Sequence, residues 1–454
     1  MGRVFRLIAG SLASGLLLVL ALPLGEQAWI GWFALVPLVI VTRDQRIILG
    51  VVGAILTIGF AALLASTGWL YHHRMVGDMV VIFGACGKFA FVVGVVLAAS
   101  ADVGAWRRPA WFFAALATLL EACTLAELPV HLALTQYRNL LLMPLASFGG
   151  VWIVSFLLWW FNFHIVRLPS KQMMGWIVAV STFALVTQRV GFSASGSVQN
   201  FAAIQVSDPD EKILLALQTE ASKTSPEFVV WPEFAGMSFV GATDHPLRDV
   251  TSHPGIAPLI TSFRDDARPL PHNVAALFSS GSESARYAKR KLFGGEKYMH
   301  APGKVAVAVP YRDGTVGLCI CFDSCYPEAI RETARLPGVS VIALPTIDPP
   351  TANYFMAGMH AAYTPFRCAE SGVAMIRSDG NAYSQIVDAT GRIVAEKGPG
   401  DGVLRGAVPV GRRWTLYGAI GDWFLVICGV LVGWGYFRFK VALNQGQAGN
   451  CPRE

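Results

Sequence analysis

The chain is poor in charge. Asp, Glu, Lys and Arg make up 15% of its 454 residues, against 54% hydrophobic residues, whereas soluble globular domains carry about 25% charge. This excludes an ordinary soluble or disordered protein. A net charge of +6 on so apolar a chain reads as membrane topology, not as affinity for nucleic acid. The cysteines form no paired CxxC spacing, and there is no HExxH and no glycine-rich phosphate loop after a strand, so neither metal nor nucleotide cofactor is implied. Gly149–Gly150 and Gly294–Gly295 read as turn or helix-packing glycines. Internal repeats and low-complexity tracts are also missing.

What the chain has is long hydrophobic runs. A bilayer span needs about 20 apolar residues, and runs near 5–23, 28–42, 47–66, 78–100, 109–123, 148–166, 173–191 and 418–437 qualify, the second and fifth being short. The first could pass for a signal peptide, but it lacks a cleavage site and more spans follow, so it reads as a retained helix. Cys86, Cys123 and Cys428 fall in these runs as small core residues. Arg3 and Arg6, Arg43 and Arg46, Arg107 and Arg108, and Arg167 and Lys171 occupy alternate loops, and Arg438 and Lys440 follow the last span. The positive-inside rule then puts both termini in the cytoplasm and residues 192–415 on the opposite face. His72 and His73 share that face, in contact with headgroups or, as the plainer reading, as interfacial decoration. The expected organisation is an α-helical membrane bundle over 1–192, an α/β domain over 193–412, and a last span with a short disordered tail over 413–454.

The middle segment gains charge, Pro, Ser and Asp. NFAAIQV, EFVVWP, NVAALFSSG, KVAVAVPY, TVGLCICF, VSVIALP and GVAMIRS read as strands. EKILLALQTEA and SCYPEAIRETARL read as helices. Strands alternating with helices imply a layered α/β domain.

Three positions in it carry chemistry. Cys321 lies near the C-terminal end of a strand, before a helix, where α/β sheets present functional groups. A thiol there becomes a nucleophile if its pKa is lowered or a base is near. The alternatives are a buried structural cysteine, or a disulfide of Cys319 or Cys321 with Cys325. Glu233 follows FVVWP, a partly dry setting that suits a general base; a surface loop glutamate is the plainer reading. Lys289 sits in RYAKRKLF, where alternation groups it with Tyr287 and Lys291 and does not single it out. Glu296, in GGEKY, is a further carboxylate within reach of the lysine or the base.

The order of these segments, with Lys in Y-x-K-x-x-L-F and Cys in IC-[FY]-[DE]-x-x-[FY]-PE, resembles the nitrilase superfamily. The flanking membrane runs make the chain resemble its membrane-embedded branch, the bacterial apolipoprotein N-acyltransferases. LALPLGEQAWIGWFALVPLVIV, LLEACTLAELPVHLALTQYRNLLLMPLASFGGVWIVSFLL and MHAAYTPFRCAESGVAMIRSDGNAYSQIVDATGRIV extend the likeness over nearly the whole chain. The resemblance implies an αββα sandwich on a membrane bundle of about eight spans, in the bacterial inner membrane, with the catalytic domain extracytoplasmic. It implies Glu233 as general base, Cys321 as nucleophile, Lys289 and the backbone N–H of Phe322 as oxyanion donors, and Glu296 as supporting carboxylate. The implied reaction passes an acyl chain from a phospholipid to Cys321, then to the free amine of a diacylglyceryl-cysteine lipoprotein. The chain departs from the family pattern in three places. Lys291 stands where the family motif has His. The loop from Glu296 to Cys321 is short. TIDPPTANYF replaces an Asn-Asp-x-Trp-Phe-Gly run, with Tyr354 and Phe355 as apolar substitutes. The weighed alternatives are a membrane-tethered amidase, in which water resolves the thioester, and an inactive scaffold.

Overall fold

The computed structural model describes residues 2–23, 25–43, 47–66, 76–101, 109–123, 128–166, 175, 182, 196–239, 246–349 and 355–447. The chain divides into two compact units, one of Met1–Gln136, Gly149–Thr182 and Asp422–Glu454, the other of Tyr137–Phe148 and Phe183–Gly421.

The first unit is helical. Among the described residues, Gly2–Ala21, Ile47–Leu64 and Met143–His164 are long and apolar enough to cross a membrane. Ala28–Thr42, Cys86–Ala99, Ala110–Cys123 and Trp423–Arg438 are shorter apolar helices. Seven expected spans thus coincide with apolar helices. The expected span over 173–191 lies almost wholly outside the described residues, as do His72, His73 and Tyr354. Met143–His164 is interrupted at Gly149 and Gly150, the latter at φ 70°. The last helix, Trp423–Gln447, runs past the expected span and takes in the first three residues of the tail expected to be disordered. Small residues let the helices approach: a Cβ on Gly15 would lie 2.6 Å from the carbonyl of Thr57. Backbone groups freed by the irregular segment before Val36–Thr42 are recovered by Asn162, whose Oδ1 accepts from the Leu35 N–H at 2.9 Å and whose Nδ2 donates to the Gly31 carbonyl at 3.1 Å.

The second unit is built on two sheets. Its strands are β1 (Val198–Gln205), β2 (Val229–Val230), β3 (Leu259–Arg264), β4 (Asn273–Ser279), β5 (Ser282–Glu283), β6 (Tyr287–Ala288), β7 (Val307–Tyr311), β8 (Gly314–Leu318), β9 (Val339–Thr346), β10 (Ala374–Asp379), β11 (Ser384–Val387), β12 (Ile393–Lys397) and β13 (Gly402–Pro409). One sheet runs β13-β1-β2-β3-β4-β5, with β6 on β4, and the other β12-β11-β10-β9-β8-β7. β1, β2 and β3 face β9 and β10. Helices Glu211–Ser222 and Pro246–Ser252 cover the outer face of the first sheet, and Pro327–Ala334 and Tyr363–Ser371 that of the second. This is the expected αββα order.

Local sequence explains these elements. Asp210 caps Glu211–Ser222, its carboxylate accepting from the Ile213 N–H at 3.1 Å. That helix buries Leu214 and Ala221 on Trp231 and Leu259. Ile330 and Ala334 pack with Ile342, Cys368 and Met375 on the other side. Tyr363–Ser371 ends at Gly372, left-handed at φ 67°, where a Cβ would meet the Arg413 carbonyl at 2.1 Å, so only glycine fits. β3 was not anticipated from the sequence, nor were β11 to β13. The strand expected over TVGLCICF stops at Leu318, and the expected helix starts only at Pro327. Between them Cys321–Cys325 form a 3-10 turn.

Candidate active site

Glu233 follows β2 and is buried at 1% exposure; Lys289 follows β6, also at 1%. Lys289 Nζ lies 2.8 Å from Glu233 Oε1 and 2.9 and 2.7 Å from the two oxygens of Glu296. Glu296 opens the short helix Glu296–Met299 and is aimed by the Phe293 N–H, which donates to Oε2 at 2.8 Å. Glu233 is held further by Asn273 Nδ2 on Oε1 at 2.7 Å and by the Ile347 N–H on Oε2 at 3.2 Å. Its Oε pair therefore meets an ammonium, an amide and a backbone donor at once. The Cys321 thiol lies close enough to the same carboxylate and to Lys289 for their charges to act on it. The structure thus brings Glu233, Lys289, Glu296 and Cys321 into one group.

Cys321 sits at φ 48°, in the left-handed region that a non-glycine residue occupies at a cost of about 1–3 kcal/mol. Such outliers cluster where a side chain must be presented. Cys319, Cys321 and Cys325 are all free thiols, so the disulfide alternative does not hold. Asp323 fixes the turn: its carboxylate accepts from the Ile320 N–H at 2.9 Å, the Lys291 N–H at 3.0 Å and the Tyr287 hydroxyl at 2.6 Å. It ties the cysteine turn to the lysine segment. Phe322 N–H belongs to the first turn of this 3-10 helix, whose leading N–H groups have no partner within the helix.

The electrostatics fit a neutral thiol beside a working base. Burial pushes the Cys321 thiol well up; the Glu233 charge adds to this and Lys289 opposes it. Burial also raises Glu233 above the usual carboxylate range, with Lys289 opposing and Glu296 adding. Burial alone would push Lys289 down, but the charges of Glu233 and Glu296 beside it outweigh this and hold the ammonium charged. A fixed cation, a base of raised proton affinity and a thiol beside them can form and break an acyl-sulfur bond.

Burial is what distinguishes Lys289 from its neighbours. Lys291 turns outward to Glu328 at 2.7 Å and lies over the Tyr326 ring at 4.6 Å, a surface pair in the place of the family's histidine. Sequence reasoning missed Asn273, Tyr287 and Asp323, and also the buried quartet Asp348, His360, Arg377 and Asp379 behind the cysteine. Most lie in segments already quoted, Asn273 at the start of NVAALFSSG, Tyr287 in RYAKRKLF, Asp323 just after TVGLCICF, Asp348 in TIDPPTANYF and Arg377 in GVAMIRS, but local pattern singles none of them out. No group able to hold a metal ion occurs among the described residues.

An αββα sandwich with Glu, Lys and Cys gathered at its sheet ends defines the class of the carbon-nitrogen hydrolases. Residues 211–413 match the sequence model of the carbon-nitrogen hydrolase family, and residues 14–164 match that of the apolipoprotein N-acyltransferase N-terminal domain. The chain is 25% identical over 355 residues to an apolipoprotein N-acyltransferase of Geobacter metallireducens, covering 65% of this chain and 67% of that one. It is 31% identical over 195 residues to a nitrilase of Pyrococcus abyssi, covering 38% and 71%. Among solved structures it resembles an amidase from Nesterenkonia sp. at 21% identity and TM-score 0.41, over 48% of this chain and 93% of that one. The chain belongs to the nitrilase superfamily and, within it, to the apolipoprotein N-acyltransferase family.

Proposed function

We propose that the protein is a membrane N-acyltransferase that moves a fatty acyl chain from a phospholipid to Cys321 and then to the N-terminal amine of a diacylglyceryl lipoprotein. The observation that carries this reading is the coupling, in one chain, of the family's membrane region with the buried Glu233–Lys289–Cys321 group. Glu233 takes the thiol proton as sulfur attacks the ester carbonyl. The oxyanion forms beside the Lys289 ammonium and the Phe322 N–H. On collapse the C–O bond breaks, and Glu233 returns the proton to the departing lysophospholipid oxygen. In the second half the lipoprotein amine attacks the thioester, Glu233 takes its proton, and the thiol is regenerated as the amide forms. Glu296 keeps Lys289 in place throughout.

The short helix that Glu296 opens, and the segment after it, support an acyl substrate. Tyr298 and Met299 are 84% and 58% exposed, and Val305 is 68% exposed, apolar area of the kind that marks a lipid or ligand contact. The site faces the extracytoplasmic side of the bacterial inner membrane in this reading, on the arginine and lysine pattern of the loops. The test is reconstitution with a defined phosphatidylethanolamine and a diacylglyceryl peptide. Transfer of the acyl chain to the peptide amine, abolished in Cys321→Ala, supports the reading. Release of free acid or ammonia from simple amides without lipid transfer would replace it with the amidase alternative.

A further inference from the structure

Behind Cys321 lies a buried polar group that the acyl-transfer steps do not use. His360 Nε2 is 3.2 Å from the Cys321 carbonyl oxygen and 3.0 Å from Ser324 Oγ, which itself donates to that carbonyl at 2.9 Å. His360 Nδ1 lies 2.7 Å from Asp348 Oδ1 and 3.3 Å from Arg377 Nη2. Arg377 is also paired with Asp348 Oδ2 and, at 2.8 Å, with Asp379 Oδ2.

The donors and acceptors fix where the protons are. A carbonyl oxygen only accepts, so its contact with Nε2 is favourable only when Nε2 carries hydrogen. A guanidinium only donates, so its contact with Nδ1 is favourable only when Nδ1 presents a lone pair. Both point to the same tautomer, with Nδ1 taking its short bond from a protonated Asp348. Asp379 is met by donors, from Arg377 and from the N–H groups of Asp348, Asn381 and Ala382, and is the ionised partner of Arg377. The quartet is then electrically neutral, as burial requires. Burial pushes both carboxyls up, Asp379 to about 7, and the His360 ring well down, in keeping with a neutral ring and one proton held by the carboxyl pair.

We propose that Asp348 and His360, with Ser324, are positioning residues that hold the Cys321–Phe322 peptide so that its N–H points at the developing oxyanion. The C=O of Cys321 and the N–H of Phe322 belong to one planar trans peptide unit and point in opposite directions. Anchoring the carbonyl on His360 and Ser324 therefore aims the amide, and it also holds the left-handed conformation of Cys321 against its strain. This inference rests on the acyl-thioester reading of the site.

The experiment separates oxyanion chemistry from thiol chemistry. Thioester formation passes through an oxyanion; alkylation of the thiol by iodoacetamide does not. Both rates are measured on the full-length protein in vesicles of a defined phosphatidylethanolamine, for the parent, His360→Asn, His360→Gln and Ser324→Ala. Losing the aim of one oxyanion donor is expected to slow thioester formation roughly 10- to 100-fold in His360→Asn, with the lipid concentration for half-maximal rate unchanged and alkylation within about 3-fold of parent. Gln carries its amide nitrogen at the Nε2 level and restores most of the rate, while Asn does not reach. Ser324→Ala removes the second anchor without touching the ion cluster and keeps the test alive if His360→Asn does not fold; it is expected to lose about 3- to 10-fold. Parental thioester formation in His360→Asn and Ser324→Ala overturns the inference, as does an equal loss of acylation and alkylation, or a Gln variant no better than Asn. A parent protein that forms no thioester overturns the acyl-transfer reading, and this inference with it.

Discussion

Truncating Asn273 to Ala shifts the pH dependence of the thiol. Its Nδ2 donates to Glu233 Oε1 at 2.7 Å, within the buried pair that Lys289 completes at 2.8 Å. A donor on the carboxylate favours the ionised form, so its loss raises the pKa of Glu233 beyond the elevation that burial already gives. A hydrogen bond to a charged group contributes about 1.5–3 kcal/mol, and one pKa unit corresponds to about 1.4 kcal/mol. Lys289 and the Ile347 N–H remain on the carboxylate, so the lower end applies, a rise of about one unit. Because burial holds the Cys321 thiol neutral, its reaction waits on an ionised Glu233 to take the proton. The acid limb of the alkylation rate against pH should therefore move up by about one unit in Asn273→Ala, with the plateau kept. A limb that stays in place or moves down would refute the assignment of Glu233 as the base whose charge Asn273 supports.

The neighbouring groups give further tests. In Glu296→Gln the same limb moves down, because the Glu296 charge is one of the causes that raise Glu233; an upward shift in the same alkylation assay would contradict this. Lys289→Met should lower the single-turnover rate of thioester formation about 10²- to 10³-fold, as expected for loss of an oxyanion stabiliser, and should destabilise the domain by about 3–5 kcal/mol, since two carboxylates lose their counter-charge. Asp323→Asn should cost about 2–3 kcal/mol in denaturant unfolding, the loss of charge-assisted bonds to Ile320, Lys291 and Tyr287. Gly372→Ala should lower the thermal midpoint in a calorimetric scan, because the added Cβ would strike the Arg413 carbonyl at 2.1 Å; an unchanged midpoint would contradict this.

The parts of the fold that could be read from the sequence were those where local pattern and tertiary role agree. Glu211–Ser222 carries its own cap and apolar stripe, and β9 is centred on the unbroken apolar run Val341–Leu344, as suits a central parallel strand. β3, LITSFR, is buried on both faces yet interrupted by Thr and Ser, so it shows neither alternation nor an unbroken apolar run. β12 and β13 are largely half-exposed and carry Glu, Lys, Arg and Gly, which masks them as loops. Glu233 and Cys321 lie beside apolar strand segments and could be found by position. Lys289 could not be told from Lys291 by spacing, because β6 lasts two residues and burial, a tertiary property, makes the distinction. The quartet behind Cys321 was illegible for a related reason. Asp348, His360, Arg377 and Asp379 come from three segments, and what joins them is their mutual neutralisation in a dry interior, which leaves no trace in local sequence.

The central claim is that Cys321 carries the acyl group. The most direct measurement is the mass of the Cys321 peptide from protein incubated with phospholipid vesicles of known acyl composition, before and after hydroxylamine. The account predicts an adduct of the mass of the donor acyl chain on Cys321, removed by hydroxylamine and discharged by a diacylglyceryl peptide amine. An unmodified Cys321 thiol in protein that still transfers acyl chains would contradict it.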